Sequence, residues 1–144
     1  FDSETGQRLG ALPKSVFPEL AAWTPEQMVW WAGGRIHVGR WEASEGNDRK
    51  GEPVHTRALT EATSFPTPYG GSALIRAGGA VVSAGHGPGG HGVAVLELAT
   101  GDVRFSGPTD GEALSLSVAE GKLFTSTDMG IIHCFGGGDA APLP

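Results

Sequence analysis

The stretch that decides the fold is residues 112–136, EALSLSVAEGKLFTSTDMGIIHCFG. Its first part alternates apolar Leu114, Leu116 and Val118 with small or polar residues, which is the period of a strand with one apolar face. A Glu-Gly pair at 120–121 ends that run, and a tight hairpin turn needs residues that tolerate positive φ at such a point. The pattern predicts a strand followed by a hairpin turn.

Two further strands follow that turn. Residues 123–127 are rich in aromatic and β-branched side chains, and residues 131–135 are mostly apolar, with an Asp-Met-Gly turn at 128–130 between them. Because an isolated meander of two or three strands is marginally stable in water, it must pack against other sheets. The stretch therefore predicts one unit of an all-β protein built from stacked antiparallel meanders.

Similar units recur along the chain. A Gly turn followed by an alternating apolar strand begins at Gly34, Gly79 and Gly121, and the intervals between them lie in the forties. That period is typical of a four-stranded propeller blade, as in WD40-like repeats. We superpose the three copies as hairpins whose preceding strands are residues 27–32, 72–77 and 113–118.

These repeats predict an all-β chain of β-propeller blades, each a four-stranded antiparallel meander, in a partial propeller completed by other segments or chains. The predicted divisions are an outer strand of a preceding blade plus a connector (1–25), a blade with a polar loop (26–66), a blade with a Gly/His insertion (67–108), the inner three strands of a last blade (109–136) and a flexible tail (137–144).

Composition excludes several kinds of partner. The net charge of −6 and the pI of about 5.2 argue against nucleic acid, which requires a basic face. No apolar run is long enough to span a bilayer as a helix.

The 24 Gly and 10 Pro residues fit turns of an all-β fold, because the strand-like runs and the 39% apolar content argue against disorder. The Phe1 start leads us to expect a processed or excised product.

Adjacent residues on a strand point to opposite faces of the sheet. Trp30 and Trp31 should therefore divide between packing against a neighbouring blade and a position near a surface. His133 and Cys134 should likewise face opposite ways, so they cannot easily share a metal ion. We expect Cys134, the only cysteine, to be a small buried hydrophobe.

Two segments resemble a known repeat. Residues 118–135 and 93–105 are similar to the two halves of the repeat of PQQ-like β-propellers, the quinoprotein alcohol dehydrogenase-like superfamily. The resemblance implies about three blades of a larger propeller. Quinone-dependent enzymes of that superfamily have an adjacent Cys pair, a Trp that forms the floor of the quinone site, and calcium ligands. This chain has one Cys and no recognisable calcium cluster.

The resemblance therefore implies a non-catalytic, extracytoplasmic scaffold or assembly subunit without a cofactor. Its partners would be other protein chains or the remaining blades of the same precursor. The alternative is the propeller part of a redox oxidoreductase that uses PQQ or haem and acts with a cytochrome.

The most unusual local sequence is the Gly-rich segment 85–92, which contains His86 and His91. Two imidazoles could ligate Zn, Cu or Fe, and the glycines could also form an anion nest. The alternative is an ordinary exposed insertion between strands. We treat His86 and His91 as the only metal candidates and Gly85 and Gly92 as the ends of an interaction loop.

A second interaction loop is predicted at residues 42–53, where charged residues replace the expected repeat. We expect it to be long and exposed and to join the third and fourth strands of its blade. Its candidate contact residues are Glu45, Asp48, Arg49 and Lys50. No catalytic residue is predicted, because no triad can be assigned without spatial proximity.

Overall fold

The structure is a computed structural model that describes residues 6, 12–47 and 49–136. The described residues contain strands and turns and no helix, so the all-β prediction is confirmed. It follows that nothing in this part of the chain has the length and hydropathy of a membrane-crossing helix. Most of residues 1–11 and all of the tail at 137–144 lie outside the described part, as does Asp48.

The first sheet contains four strands in sequential antiparallel order. They are β1 (Leu20–Trp23), β2 (Gln27–Ala32), β3 (Arg35–Asn47) and β4 (Pro53–Pro66). This sheet begins before the boundary predicted at residue 26. Its first turn depends on Thr24 rather than on glycine, because the Thr24 hydroxyl accepts the N–H of Gln27 at 3.2 Å. The turn also contains Pro25 and no glycine, so the search for Gly turns did not find it.

The missed first strand changes the alignment of the repeats. Gly34 lies in the turn between the second and third strands of its sheet, whereas Gly79 and Gly121 lie between first and second strands. The predicted superposition of the three Gly turns is therefore wrong by one strand for the first copy. The other two copies occupy equivalent positions.

The second sheet, here called the middle sheet, comprises β5 (Gly70–Ala77), β6 (Ala80–Gly87), β7 (Gly90–Glu97) and β8 (Val103–Pro108) in that order. The third sheet comprises β9 (Ala113–Ala119), β10 (Lys122–Thr127) and β11 (Ile132–Phe135). The three strands predicted within residues 112–136 are confirmed.

The three sheets stack on one another through two apolar interfaces, with β5 between β1 and β9. The first and middle sheets share a cluster of buried side chains: Val29, Ile36, Val38, Phe65, Val81, Ala94, Leu96 and Leu98. The middle and third sheets share another: Ala80, Val82, Ala84, Val93, Val95, Ala113 and Leu123. The middle sheet is thus covered on both faces. Successive residues of its strands point to opposite faces, so both sets of alternate residues must be apolar.

The third sheet has one departure from strict alternation. Its pairing shifts between Ser126 and Thr127, so that Ser126 pairs with Ser115 and Thr127 with Ala113. Leu114 is the extra residue at this bulge and is 60% exposed, while Ala113 is buried in its place. The predicted apolar face is therefore formed by Leu116 and Val118, without Leu114.

The turn between β9 and β10 has the backbone predicted for it. Glu120 has φ of 50° and Gly121 has φ of 71°, the left-handed pair that a two-residue hairpin turn of matching twist needs. Among the described residues, Glu120 is the only residue other than glycine with positive φ. The hairpin therefore holds one strained residue.

The adjacent tryptophans divide between the two faces of β2. Trp31 packs against the cluster between the first and middle sheets, so the packing role is confirmed. Trp30 lies on the opposite face and is buried with Met28 and Leu59, rather than near a surface. The outer face of the first sheet therefore has an apolar cluster of its own.

Candidate functional site

The Gly/His segment predicted as an insertion is part of a regular β-hairpin. Only Pro88 and Gly89 form its turn, and β6 and β7 pair across the rest of the segment. Gly85 pairs with Gly92, His86 with His91, and Gly87 with Gly90. The expectation of a loop inserted between strands is wrong. Glycine is uncommon in strands on average, but close packing against this hairpin requires it here.

That packing involves the ring of Tyr69. A Cβ atom added at Gly87 would lie 2.6 Å from Tyr69 Cδ1, and one added at Gly92 would lie 2.6 Å from Tyr69 Cε1. Both distances are far inside van der Waals contact. The two glycines therefore allow the tyrosine to lie flat against the ladder, on the side facing the first sheet.

His86 and His91 lie on the other face of the same hairpin. Their rings form a T-shaped pair with centroids 5.5 Å apart and an interplanar angle of 76°. His86 is exposed and His91 is half-buried. The Nδ1 atom of His91 is buried without a hydrogen-bond partner in the described part of the chain. The structure thus brings together the two metal candidates of the sequence.

His133 lies on the third sheet and has a different environment. Its Nε2 atom accepts the backbone N–H of Asp110 at 3.1 Å, and its ring stacks on Phe135 with centroids 5.8 Å apart. These contacts assign His133 a structural role at the end of the connector between β8 and β9. Across residues 6, 12–47 and 49–136, no group of three or more His, Cys, Asp or Glu side chains is placed to hold a metal ion.

The predicted polar loop at 42–53 is largely a two-stranded arm. β3 and β4 pair continuously out to Asn47 and Pro53, whereas β2 pairs only with residues 35–40 of β3. The distal half of the β3–β4 hairpin therefore extends beyond the sheet, and we call residues 42–58 the β-arm. Glu45 lies on it, and Arg49 and Lys50 lie in its terminal turn.

Charges on the β-arm are largely solvated. Glu45 and His55 approach to 3.8 Å, but both side chains are almost fully exposed, so their attraction is weak. The base of the arm is held more firmly, because Arg57 Nη1 donates to the Pro25 carbonyl at 2.6 Å. The arm is a solvent-facing projection anchored at its base.

The third sheet leaves one face uncovered by the described residues. Leu123 and its neighbours point to the middle sheet, and the alternate residues point away from it. We call these alternate residues the open face: Ser115, Ser117, Phe124, Ser126, Ile132 and Cys134. Ile132 is 74% exposed, and Cys134 is exposed, so the expectation that Cys134 is buried is wrong.

The first sheet has a comparable outer face at the opposite end of the stack. We call it the aromatic face; it comprises Trp23, Met28, Trp30, His37, Trp41 and Leu59. Val16 covers part of it, but Trp23 remains 72% exposed. Sequence reasoning did not identify this surface, because β1 was not recognised.

His37 is held tightly on the aromatic face. Its ring stacks on Trp30 with centroids 5.2 Å apart and 10° between the planes. Its Nδ1 lies 2.9 Å from Glu61 Oε1, and its Nε2 lies 3.3 Å from the Ala32 carbonyl oxygen. Both partners are acceptors, so the doubly protonated imidazolium can donate to both while lying over the indole face.

Comparisons with known proteins bear on the fold. No family model and no curated protein sequence matches the chain. The chain is similar in structure to the computationally designed Ika4 protein, known from its crystal structure, with a TM-score of 0.51 and 15% sequence identity. The similarity covers 92% of this chain and 99% of that chain, and at this identity it concerns the fold alone.

Proposed function

We propose that this chain is a non-catalytic scaffold segment of the PQQ-like β-propeller type, whose outer sheet faces dock onto further blades. The observation that carries the proposal is the pair of uncovered faces at the two ends of the stack. Ile132 is 74% exposed on the open face, and Trp23 is 72% exposed on the aromatic face.

The middle sheet supports this interpretation by contrast. Val81 and Val82 point to opposite faces of the middle sheet, and both are fully buried because a neighbouring sheet covers each face. The first and third sheets have such a neighbour on one side only. Covering the side chain of Ile132 with a further blade would contribute roughly 1.5–3 kcal/mol, which favours association.

The edges of the sheets add a second contribution. Within the described residues β11 pairs only with β10, so the third sheet has one strand fewer than the other two. An unpaired strand edge offers a row of N–H and C=O groups to another chain. The partner that fits is a propeller blade or strand, from a second copy of this chain or from another protein, in an extracytoplasmic complex.

The mass of the native particle tests the proposal. We expect the purified chain of 14.8 kDa to form larger particles, alone or with a copurifying protein, when measured by native mass spectrometry. Ile132→Lys should reduce that association at least tenfold, because it places a charge in the interface.

The matched control is Val103→Lys. Val103 is 47% exposed on β8, away from both outer faces, so its substitution should leave the mass distribution unchanged. A monomer at all concentrations, or equal effects of the two substitutions, contradicts the proposal. Absorbance of haem or PQQ in the purified protein would instead favour the redox function that the resemblance allows.

A further inference from the structure

We propose that His86 and His91 form a two-histidine site for a divalent transition-metal ion at the tip of the β6–β7 hairpin. The two residues are direct partners in the ladder, one pair before the turn. This placement fixes both backbones in register on a regular element. The site is independent of the scaffold function, since neither histidine belongs to the open face or the aromatic face.

Backbone direction indicates that the pair is suited to chelation. The carbonyl of His91 accepts the N–H of Thr109 at 3.0 Å, so the polar backbone groups of His91 point away from β6. His86 and His91 therefore form a non-hydrogen-bonded pair of the β6–β7 ladder. In such pairs the Cα atoms are about 4.5 Å apart and the side chains are closer than in hydrogen-bonded pairs.

The separation of the rings agrees with two ligands on one ion. A metal–nitrogen bond of 2.0–2.1 Å places the metal about 3.2 Å from each ring centroid, and a tetrahedral angle then separates the centroids by about 5.2 Å. The observed separation is 5.5 Å. The two ring centroids are therefore at a separation that a shared ion between one nitrogen of each ring requires.

The surroundings of the pair combine access to solvent with one unsatisfied nitrogen. His86 is exposed, and so are the neighbouring turn residues Pro88 and Gly89. Nδ1 of His91 is buried without a partner among the described residues, which is unfavourable for a polar atom. A bound cation on the imidazole pair would fix the tautomer of that ring.

The donor set determines the class of metal. Neutral imidazole nitrogens suit Cu²⁺, Zn²⁺ and Ni²⁺, with Cu²⁺ bound most strongly, whereas Mg²⁺ and Ca²⁺ require oxygen ligands. Because two protein ligands are present, water or a group from another molecule completes the coordination. The site is therefore open and exchangeable, unlike a closed structural zinc site with four protein ligands.

Titration with Cu²⁺ tests the site. We expect one ion per chain by isothermal calorimetry, at least tenfold weaker binding in His86→Asn and in His91→Asn, and no binding of Mg²⁺. His55→Asn is the matched control, because His55 is an exposed strand histidine on the β-arm, 3.8 Å from Glu45. It should bind Cu²⁺ as the unchanged chain does.

A second measurement applies to the unchanged chain and does not depend on how the variants fold. Paramagnetic Cu²⁺ at a substoichiometric ratio should broaden the amide NMR signals of Gly87 and Gly90 and leave those of the β-arm sharp. Broadening centred on His55, or an equal loss of affinity in all three variants, would overturn the proposal.

Discussion

Tyr69 packs on a strip of backbone that carries no side chains, and this contact determines which glycines the hairpin can lose. At Gly92 an added Cβ would lie 2.6 Å from both the Tyr69 ring and the Gly107 carbonyl oxygen. We therefore expect Gly92→Ala to lower the free energy of unfolding by about 1–3 kcal/mol, as overpacking does elsewhere. Urea unfolding monitored by circular dichroism measures the change.

The same hairpin provides the control. Gly89 lies in the exposed turn with nothing within 4 Å of an added Cβ, and its φ is not positive. Gly89→Ala should change the free energy of unfolding by no more than about 0.5 kcal/mol. Equal effects at the two positions would show that general glycine entropy, rather than contact with Tyr69, explains the composition of this segment.

Glu120 gives a prediction of opposite sign. Its φ of 50° is unfavourable for most residues, whereas Asn-Gly is the preferred pair in this type of hairpin turn. Glu120→Asn should raise the free energy of unfolding by about 0.5–1 kcal/mol in thermal or urea denaturation. Glu120→Gln keeps the strain and removes the charge, so a similar gain in that variant would assign the effect to electrostatics.

At the scale of elements, the β-arm and the sheet from which it extends are stabilised differently. Leu59 is buried on the aromatic face, whereas residues 42–47 are exposed. Replacing residues 44–56 with an Asn-Gly turn should therefore change the free energy of unfolding by less than about 1 kcal/mol. Leu59→Ala, which removes a buried side chain, should cost about 2–4 kcal/mol.

These two variants can be compared by urea denaturation under identical conditions. If the arm deletion destabilises the chain as much as Leu59→Ala, then the arm supports the sheet, and its description as a solvated projection is wrong. If the deletion instead abolishes binding to a copurifying protein while the fold persists, the arm is an interaction element as the charged residues predict.

Sequence periodicity predicted the elements well where local signals agreed. Residues 112–136 gave three strands, because alternation, turn residues and β propensity all pointed to the same structure. The prediction failed where tertiary packing determines the structure. The glycines near His86 were predicted to form a loop, because the ring of Tyr69, which requires them, is distant in sequence. The charged residues at 42–53 were also predicted to form a loop, because a solvated two-stranded arm has no apolar face.

The candidate site was predicted in part for the same reason. His86 and His91 could be selected from composition, but their pairing depends on a hairpin register that the sequence did not reveal. The aromatic face depends on β1, whose turn uses Thr24 in place of glycine. Side chains that meet only through strand pairing leave no periodic signal along the chain.

At the scale of the whole molecule, the three sheets differ in how many faces are covered, and this should set their local stability. The middle sheet is buried on both faces, so amides of β6 and β7 should open only on global unfolding and exchange hydrogen most slowly. β10 and β11 carry the open face on one side and should exchange faster in the dilute protein.

Association then provides a test that links stability to the proposed scaffold. If a further blade covers the open face, the protection of β10 and β11 should rise with protein concentration by mass action, while that of β6 and β7 stays limited by global unfolding. Hydrogen exchange measured by mass spectrometry across a hundredfold range of concentration resolves the two sheets.

In Ile132→Lys the rise in protection should disappear, because the substitution blocks docking and leaves the interface between the middle and third sheets intact. A rise confined to β1 and β2 would instead place the contact on the aromatic face, and no dependence on concentration in any strand would contradict self-association.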